Sequence, residues 1–589
     1  DELRRAFIGH GSLVSGVSFS RNGKLMVSAS TDRTIQIWSL EDHIPTGTYD
    51  FKFENSAVTK VLPGTSSAKA GVREGDKIIT MDGLSITEIY QRMLDRDFDY
   101  RPGQVVPMRM KRDGKEYAYN MTMDEGYDFV DPTLSFYVGD DDQWIIWSPT
   151  GYYDASPGAE ELIGWHVNRG PDKSAKFYRV QQFREQLYRP DIINQILDGK
   201  DVEEAERIAN AARKLPSTSH DLRSIEEIAE LHPPEVTILS PKPDSATKAS
   251  SVDFAAKVES PNGLPIEEAT LLLNGNAIKV FRPTDLSSDT LSVRHSVELT
   301  AGRNQIELIA SNGRTLSANV GVTVNYEARQ AQPLGDVHVL AIGISNYKEQ
   351  NGELASLMSA ERDASSFTKT VSAHENGKLY ENVHVRLLTD QEATRTKILD
   401  GFQWLVDSVK PNDSAIIFFS GYGFVDSTEN FYLATHEVET DRPRATAVSW
   451  REFIDMLHED LPACKRLVFL DARPTAGGLK PGMRNPLLDL AAPQLGTTFF
   501  ASNTLQQSKI GDSRSKNGHF MQAILDTLRD SKSDQSPRDQ LLNPVEMARS
   551  IRTRVQKATA GRQLPTFFAS TEQQRQRNLL ELNLFGTRN

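Results

Sequence analysis

Two apolar runs near the C-terminal end frame the reading of the chain. DSAIIFFSGYGF over Asp413–Phe424 and RLVFLDARPTAGG over Arg466–Gly478 are β-branched and aromatic, each closed by Gly or Pro. That pattern predicts strands of a parallel sheet, buried on both faces and opening into loops. In such sheets ligands bind beyond the carboxyl ends of the strands. Around the pair, helix-period segments (LASLMSAERDASSFTKTVS, Arg395–Val409, SWREFIDMLHED, GHFMQAILDTL, NPVEMARSIRTRVQK) alternate with further strands, from DVHVLAIGISNY to GTTFFASNTLQQS and QLPTFFAS. The alternation predicts one α/β domain over 334–585.

Upstream the period is two. EVTILSP, SVDFAAKVES, EATLLLNG, SVRHSVELTAGRNQIELIASNG and NVGVTVNY alternate between Gly/Asn turns, which predicts a β-sandwich over 233–328. Residues 127–232 hold an aromatic hairpin, WIIWSPTGYYDASPGAEELIGWHVNRG, and then segments rich in Glu, Ala and Arg. The stretch from Asp191 to Leu231 reads as a solvated helical connector. Residues 49–126 hold a helix near Ala68–Gly71 and a hairpin, VVPMRMKRDGKEYAYNMTM, turning at Asp113-Gly114. Residues 1–48 hold short strands ending in IQIWSL.

A chain of 589 residues is too long for one core, which agrees with this division. The net charge of −13 argues against a general nucleic-acid binder. No apolar run reaches the length of a membrane-spanning helix. Cys464 is the single cysteine, so no intrachain disulfide or multi-cysteine zinc site can form. This slightly favours the cytoplasm and leaves a periplasmic location open. No cofactor and no metal are expected: Asp140–Asp142 lacks the spaced ligand ladder of a calcium loop and reads as an exposed turn. His166, between Trp165 and Val167, reads as structural.

Several segments resemble known families. Gly9-His10, Asp32 and Trp38, with Ser39 in place of an Asp, resemble one WD repeat of a β-propeller. The resemblance implies a His10–Asp32 hydrogen bond, Trp38 filling the space between blades, and a last blade over 1–48 whose neighbours lie elsewhere. On it, residue 1 is expected to fall inside a longer chain, and the aromatic hairpin after Asp131 is a candidate to complete the blade. AVTKVLPGTSSAKAGVREGDKIITMDGLSI, Ala57–Ile86, resembles a PDZ domain, a module that captures peptide C-termini by strand addition. The carboxylate-loop position holds TGTYDFKFENS, short and charged, so a packing or interaction module is favoured. The 233–328 strands resemble an immunoglobulin-like sandwich.

The 334–585 segment resembles the caspase-like cysteine peptidases, including the metacaspases, in element order across the whole domain. In that family the first of the two opening strands ends Ser-Gly-His-Gly and the second Asp-Ala-Cys. Here the positions hold Ser420-Gly421-Tyr422-Gly423 and Asp471-Ala472-Arg473. Tyr422 and Arg473 are 51 positions apart, against roughly 50 between His and Cys in caspases. The family's chemistry needs a thiolate nucleophile and an imidazole to handle its proton. A guanidinium carries donors only and cannot attack a carbonyl, and phenols, ionising near pH ~10, are poor bases at neutrality. No catalytic residue is therefore expected.

The resemblance leaves Asp471, Gly421, Gly423 and Ser502 as a substrate-pocket-like group. Arg473 either folds back onto Asp471 like a built-in product or lies on the surface of a decayed cleft. Cys464, at the far end of its strand, is expected to be structural. Ser420 lacks the Gly-x-Ser-x-Gly elbow, His519 begins a helix, and His436 is expected to face solvent.

The expectation is a bacterial-type multidomain pseudopeptidase scaffold. Its partners would be peptides, proteins, an active caspase-like relative or a larger complex, with no nucleic acid and no membrane span. The alternative is an active caspase-like cysteine endopeptidase.

Overall fold

The computed structural model describes the chain except residues 1–4, 8, 41–46, 50, 95–99, 126–127, 140–142, 168–173, 175, 214–231, 329–333, 349–353, 355, 376, 462–463, 476–478, 504–516, 531, 535–540, 570–573, 576–579 and 582–589. The candidate turn at Asp140–Asp142 and the end of the predicted connector thus lie outside the described residues. Two compact units are present. One comprises Asp1–Val138, Ile146–Pro149 and Gln195–Ser217; the other comprises Gly139–Ile145, Thr150–Asn194 and Thr218–Asn589.

In the first unit, Val14–Phe19, Leu25–Ser30, Thr34–Ser39 and Leu134–Val138 follow one another as antiparallel neighbours. The fourth strand comes from beyond residue 126, so the 49–126 segment is an insertion between the third and fourth strands. His10 Nδ1 lies 3.0 Å from Asp32 Oδ2, and its Nε2 lies 2.8 Å from Ser28 Oγ. Trp38, 1% exposed, donates its indole N–H to the same Ser28 oxygen at 2.8 Å. It also packs edge-on against Phe7 at 5.4 Å. Trp38 is thus bonded within its own sheet through Ser28 and packed against Phe7 of a separate two-stranded sheet. A buried indole N–H needs a partner, and Ser28 supplies one.

The inserted segment folds as a sheet in the order Lys115–Thr122, Val105–Arg112, Lys77–Met81, Ala57–Val61, Phe51–Glu54. Two helices accompany it, Ser66–Ala70 and Ile86–Leu94. Thr65 caps the first, and Gly71 closes it at φ 92°, a conformation that favours glycine. The predicted turn is present, with Asp113 at φ 46° and Gly114 at φ 79°. Met108, Met110 and Met121 point inward by the two-residue strand period. The helix Val202–Arg213 buries Ala205 and Ala209, and Pro190–Leu197 buries Ile192, Ile193 and Ile196. The described part of the connector is therefore packed rather than solvated. Its charge-rich composition hid a narrow apolar face.

In the second unit, the strands Gly164–Val167 and Lys176–Arg179 form an antiparallel hairpin that pairs His166 with Phe177. Residues 235–326 form a sandwich of a three-stranded and a five-stranded sheet. Its core is aliphatic, with Val258, Leu271, Val293, Ile306 and Val324 buried together.

The C-terminal sheet runs in the order Tyr380–Thr389, Gly335–Gly343, Ser414–Val425, Lys465–Pro474, Thr497–Ala501, Thr566–Phe568. The first five are parallel and the sixth is antiparallel. Alternate residues serve opposite faces: Ile417 and Phe419 join one core, and Ile416 and Phe418 the other. Helix Arg395–Ser408 contributes to the first core through Ile398, Phe402 and Leu405. Ala360–Ser372 and Pro544–Thr559 contribute to the second through Phe367 and Ile551. Burial on both faces is why the strands read as unbroken apolar runs.

Candidate active-site cleft

The two central strands place the candidate site in register. Ser420 is paired with Asp471, Gly421 with Ala472, Tyr422 with Arg473 and Gly423 with Pro474. Side chains two apart share a face, so Ser420, Tyr422, Asp471 and Arg473 form one two-by-two patch. Ser420 and Asp471 are fully buried. The Ser420 hydroxyl donates to Asp471 Oδ2 at 3.4 Å. Tyr422 is 3% exposed, while Arg473 is half-buried.

The Arg473 guanidinium lies over the Tyr422 ring, 5.7 Å from its centroid. Among the described residues it makes no ion pair, so it does not fold back onto Asp471. A cation on an aromatic face contributes about 0.5–1 kcal/mol when exposed, enough to favour this pose over free solvent. The two groups at the strand ends therefore engage each other, a lone-pair-free cation over a phenol ring.

Sequence reasoning missed Tyr347, which lies behind Tyr422. The Tyr422 backbone N–H donates to the Tyr347 hydroxyl at 2.8 Å, and the two rings are 5.3 Å apart. Burial pushes the Tyr347 phenol well above its usual range. The only sequence signal was a Tyr closing DVHVLAIGISNY, which carries no chemistry by itself.

Ser502 follows the strand Thr497–Ala501, and its N–H donates to the Leu470 carbonyl at 2.9 Å. This sets it beside Asp471 in the next row. Its hydroxyl oxygen is buried with no hydrogen-bond partner among the described residues. Gln563 Nε2 holds the Ser502 carbonyl at 2.8 Å, and Asn503 Nδ2 holds that of Ala472 at 3.3 Å. Neither amide was foreseen: Gln563 comes from a loop remote in sequence, and Asn503, although next to Ser502, bonds a strand 31 residues away.

Gly421 and Gly423 are packing glycines. A Cβ on Gly421 would lie 3.0 Å from the Tyr347 hydroxyl; on Gly423 it would lie 2.5 Å from Phe431 Cζ. Phe431 is itself wedged edge-on against Trp450 at 5.5 Å and cannot yield freely. Gly423→Ala is therefore expected to destabilise the second unit by about 1–3 kcal/mol. Denaturant unfolding checks this; an unchanged midpoint would show that the ring does give way.

The other candidate nucleophiles and bases lie elsewhere. Cys464 immediately precedes the strand Lys465–Pro474, at the end opposite Arg473, and is 2% exposed. Burial pushes its thiol up, the reverse of what a nucleophile needs. His519 is the first residue of helix His519–Arg529, as expected. His436 is partly buried, with Nδ1 2.7 Å from the Asn346 carbonyl, so it does not simply face solvent.

The parallel sheet and the residues at its strand ends can be set beside known proteins. Residues 336–575 match the caspase domain family, and residues 1–39 match the WD domain, G-beta repeat. The C-terminal region accordingly matches a caspase domain. Metacaspase-1A of Aspergillus oryzae is 32% identical over 114 residues, covering 18% of this chain and 26% of that protein. Metacaspase-1 of Pyricularia oryzae is 32% identical over 109 residues, with the same coverage of 18% and 26%. The chain thus spans about a quarter of the length of these relatives. Among solved structures, a protein of Geobacter sulfurreducens matches at TM-score 0.29 and 16% identity, over 40% of this chain and 94% of that one. The serine endoprotease of Yersinia pestis matches at TM-score 0.13 and 27% identity, over 15% and 31%.

Proposed function

We propose that the chain is a caspase-fold scaffold without peptidase chemistry, a pseudopeptidase that holds peptides or protein partners. The observation that carries this reading is the pairing of Tyr422 with Arg473 at the strand ends. Those positions correspond to the His and Cys of active caspase-type peptidases. A guanidinium has no lone pair for attack, and the ring beneath it is engaged in holding it. Neither of the other candidates is placed to substitute as nucleophile. Cys464 is buried at the far end of the strand, and Ser420 is buried against Asp471 without a histidine beside it among the described residues.

The remaining parts fit a binding role. The WD-type sheet, the inserted PDZ-like segment and the immunoglobulin-like sandwich are modules that bind or space partners rather than carry out chemistry. Asp471 and Ser502 stay buried beside the strand ends, and the two glycines pack the backbone there. In size-exclusion chromatography with a peptide library varied at every position, a subset is expected to co-elute with the native chain and to be recovered uncut. Recovery of shortened peptides would overturn the reading.

A further inference from the structure

The end of the sheet opposite Tyr422 and Arg473 carries a second group of chemically capable side chains. His338 on Gly335–Gly343 and His384 on Tyr380–Thr389 are direct register partners across two parallel strands. Their rings stack 4.6 Å apart at 23°. Each imidazole has its own carboxylate: His338 Nε2 lies 3.2 Å from Asp413 Oδ2, and His384 Nε2 lies 2.9 Å from Asp336 Oδ2.

Both carboxylates are held from behind. Asp413 accepts the Asp336 and Lys410 backbone N–H groups, each at 2.9 Å. Asp336 accepts the Asn382 backbone N–H at 3.1 Å and its side-chain amide at 2.9 Å. One ligand-type atom from each of Asp336, His338 and His384 lies within 4.8 Å of the others.

The remaining His338 nitrogen is the telling atom. His338 is 5% exposed, and its Nδ1 is buried with no hydrogen-bond partner among the described residues. Burying such a group unsatisfied is costly. If Nε2–H donates to Asp413, Nδ1 is left as a lone pair, the state in which an imidazole binds a metal. A carboxylate behind a ligating histidine, fixing its tautomer and orientation, is the usual outer shell of protein metal sites. Two imidazoles and one carboxylate suit zinc and its neighbours; calcium and magnesium take oxygen ligands instead.

We propose that Asp336, His338 and His384 form a binding site for a divalent transition-metal ion of the zinc class, with Asp413 as the positioning residue for His338. Three protein ligands leave a position for water. His384, with a side chain 46% exposed, is the ligand free to turn off the stack and meet the ion. The ion would staple the amino-terminal ends of neighbouring strands, far from the cleft, so its effect is on stability. The four residues come from three separate segments of sequence, which is why no motif announced them.

The test uses the full chain, free of tags and stripped with chelator, titrated with zinc chloride against a chromogenic competitor. The native chain is expected to bind one equivalent and to melt at higher temperature when loaded. His384→Ala, an exposed change, should fold normally and bind at least about ten-fold more weakly. Asp413→Asn removes no ligand and should weaken binding about 10–100-fold. Cobalt should give a ligand-field spectrum that His384→Ala loses. Should Asp413→Asn fail to fold, His384→Ala decides alone. Equal zinc affinity in the native chain and His384→Ala, or displacement of zinc by millimolar calcium, would overturn the proposal and leave the two His–Asp pairs as a hydrogen-bonded clasp.

Discussion

Replacing Tyr422 with His and Arg473 with Cys together is expected to install peptide hydrolysis in this chain. The two positions are register partners on adjacent parallel strands, whose backbones lie about 4.8 Å apart. A thiol and an imidazole on the same face would be close enough to share a proton. Both replacements are smaller than the residues they displace, so the cleft is opened rather than overfilled. Tyr347 and the two packing glycines would still hold the backbone at position 422.

A general base alone is worth about 10²–10⁴-fold in rate, and without a nucleophile it has nothing to activate. The double variant should therefore exceed the native background by at least about 10³-fold in kcat/KM. Each single variant should remain at background, because groups that act as a unit are lost together. The assay is hydrolysis of a library varied at the residue before the cut. A folded double variant with no turnover would mean that the cleft, and not only the dyad, has changed.

The second large effect is expected far from the cleft, at Arg184. This residue is 7% exposed and Glu160 is 1% exposed. The guanidinium meets the Glu160 carboxylate through two nitrogens, one bond being Nε to Oε1 at 2.9 Å. Its third arm donates to the Leu488 carbonyl at 2.9 Å. The Tyr153 hydroxyl also bonds Glu160, and Tyr188 accepts the Asn485 backbone N–H at 2.9 Å. Residues 150–194 therefore grip the segment that follows the Arg473 strand.

Arg184→Ala would leave Glu160 charged and unpaired in the interior, at a cost of about 3–5 kcal/mol. Replacing both partners, Arg184→Met with Glu160→Gln, removes the stranded charge and should recover most of that loss. Denaturant unfolding measures the two losses, and hydrogen exchange at Leu487–Leu490 reports the grip itself. Unchanged exchange in Arg184→Ala would show that the segment is held by its own packing.

The legible parts of this chain were those written in local period. The paired strands, their apolar faces, the sandwich and the Asp113-Gly114 turn follow from spacing alone, because burial on one or both faces imposes it. The dyad positions were legible for a different reason: the resemblance to caspase-like peptidases sets Ser420-Gly421-Tyr422-Gly423 and Asp471-Ala472-Arg473 against that family's strand ends. Contacts made across sequence were hidden. Tyr347 behind Tyr422, Gln563 on Ser502 and Arg184 on Leu488 join segments that share no pattern. Position 473 shows the limit most clearly. Its identity was readable, and so was its neighbour Asp471, but the direction of its side chain was not. A guanidinium can satisfy itself on an aromatic face as readily as on an acid, and only the three-dimensional arrangement put Tyr422 in reach. Over its described part, Asp191–Arg213, the reading of a solvated connector failed because composition was weighed over period: Ile192, Ile193, Ile196, Ala205 and Ala209 are few, but they are buried.

The most direct test of the central claim is long incubation of the native chain, beside Cys464→Ala, with a mixed peptide library, followed by mass spectrometry of new termini. The account predicts no cleavage above the protein-free blank in either sample. Cleavage by the native chain that persists in Cys464→Ala would contradict it and reveal another nucleophile; cleavage lost in Cys464→Ala would contradict it through the thiol placed here at the wrong end of its strand.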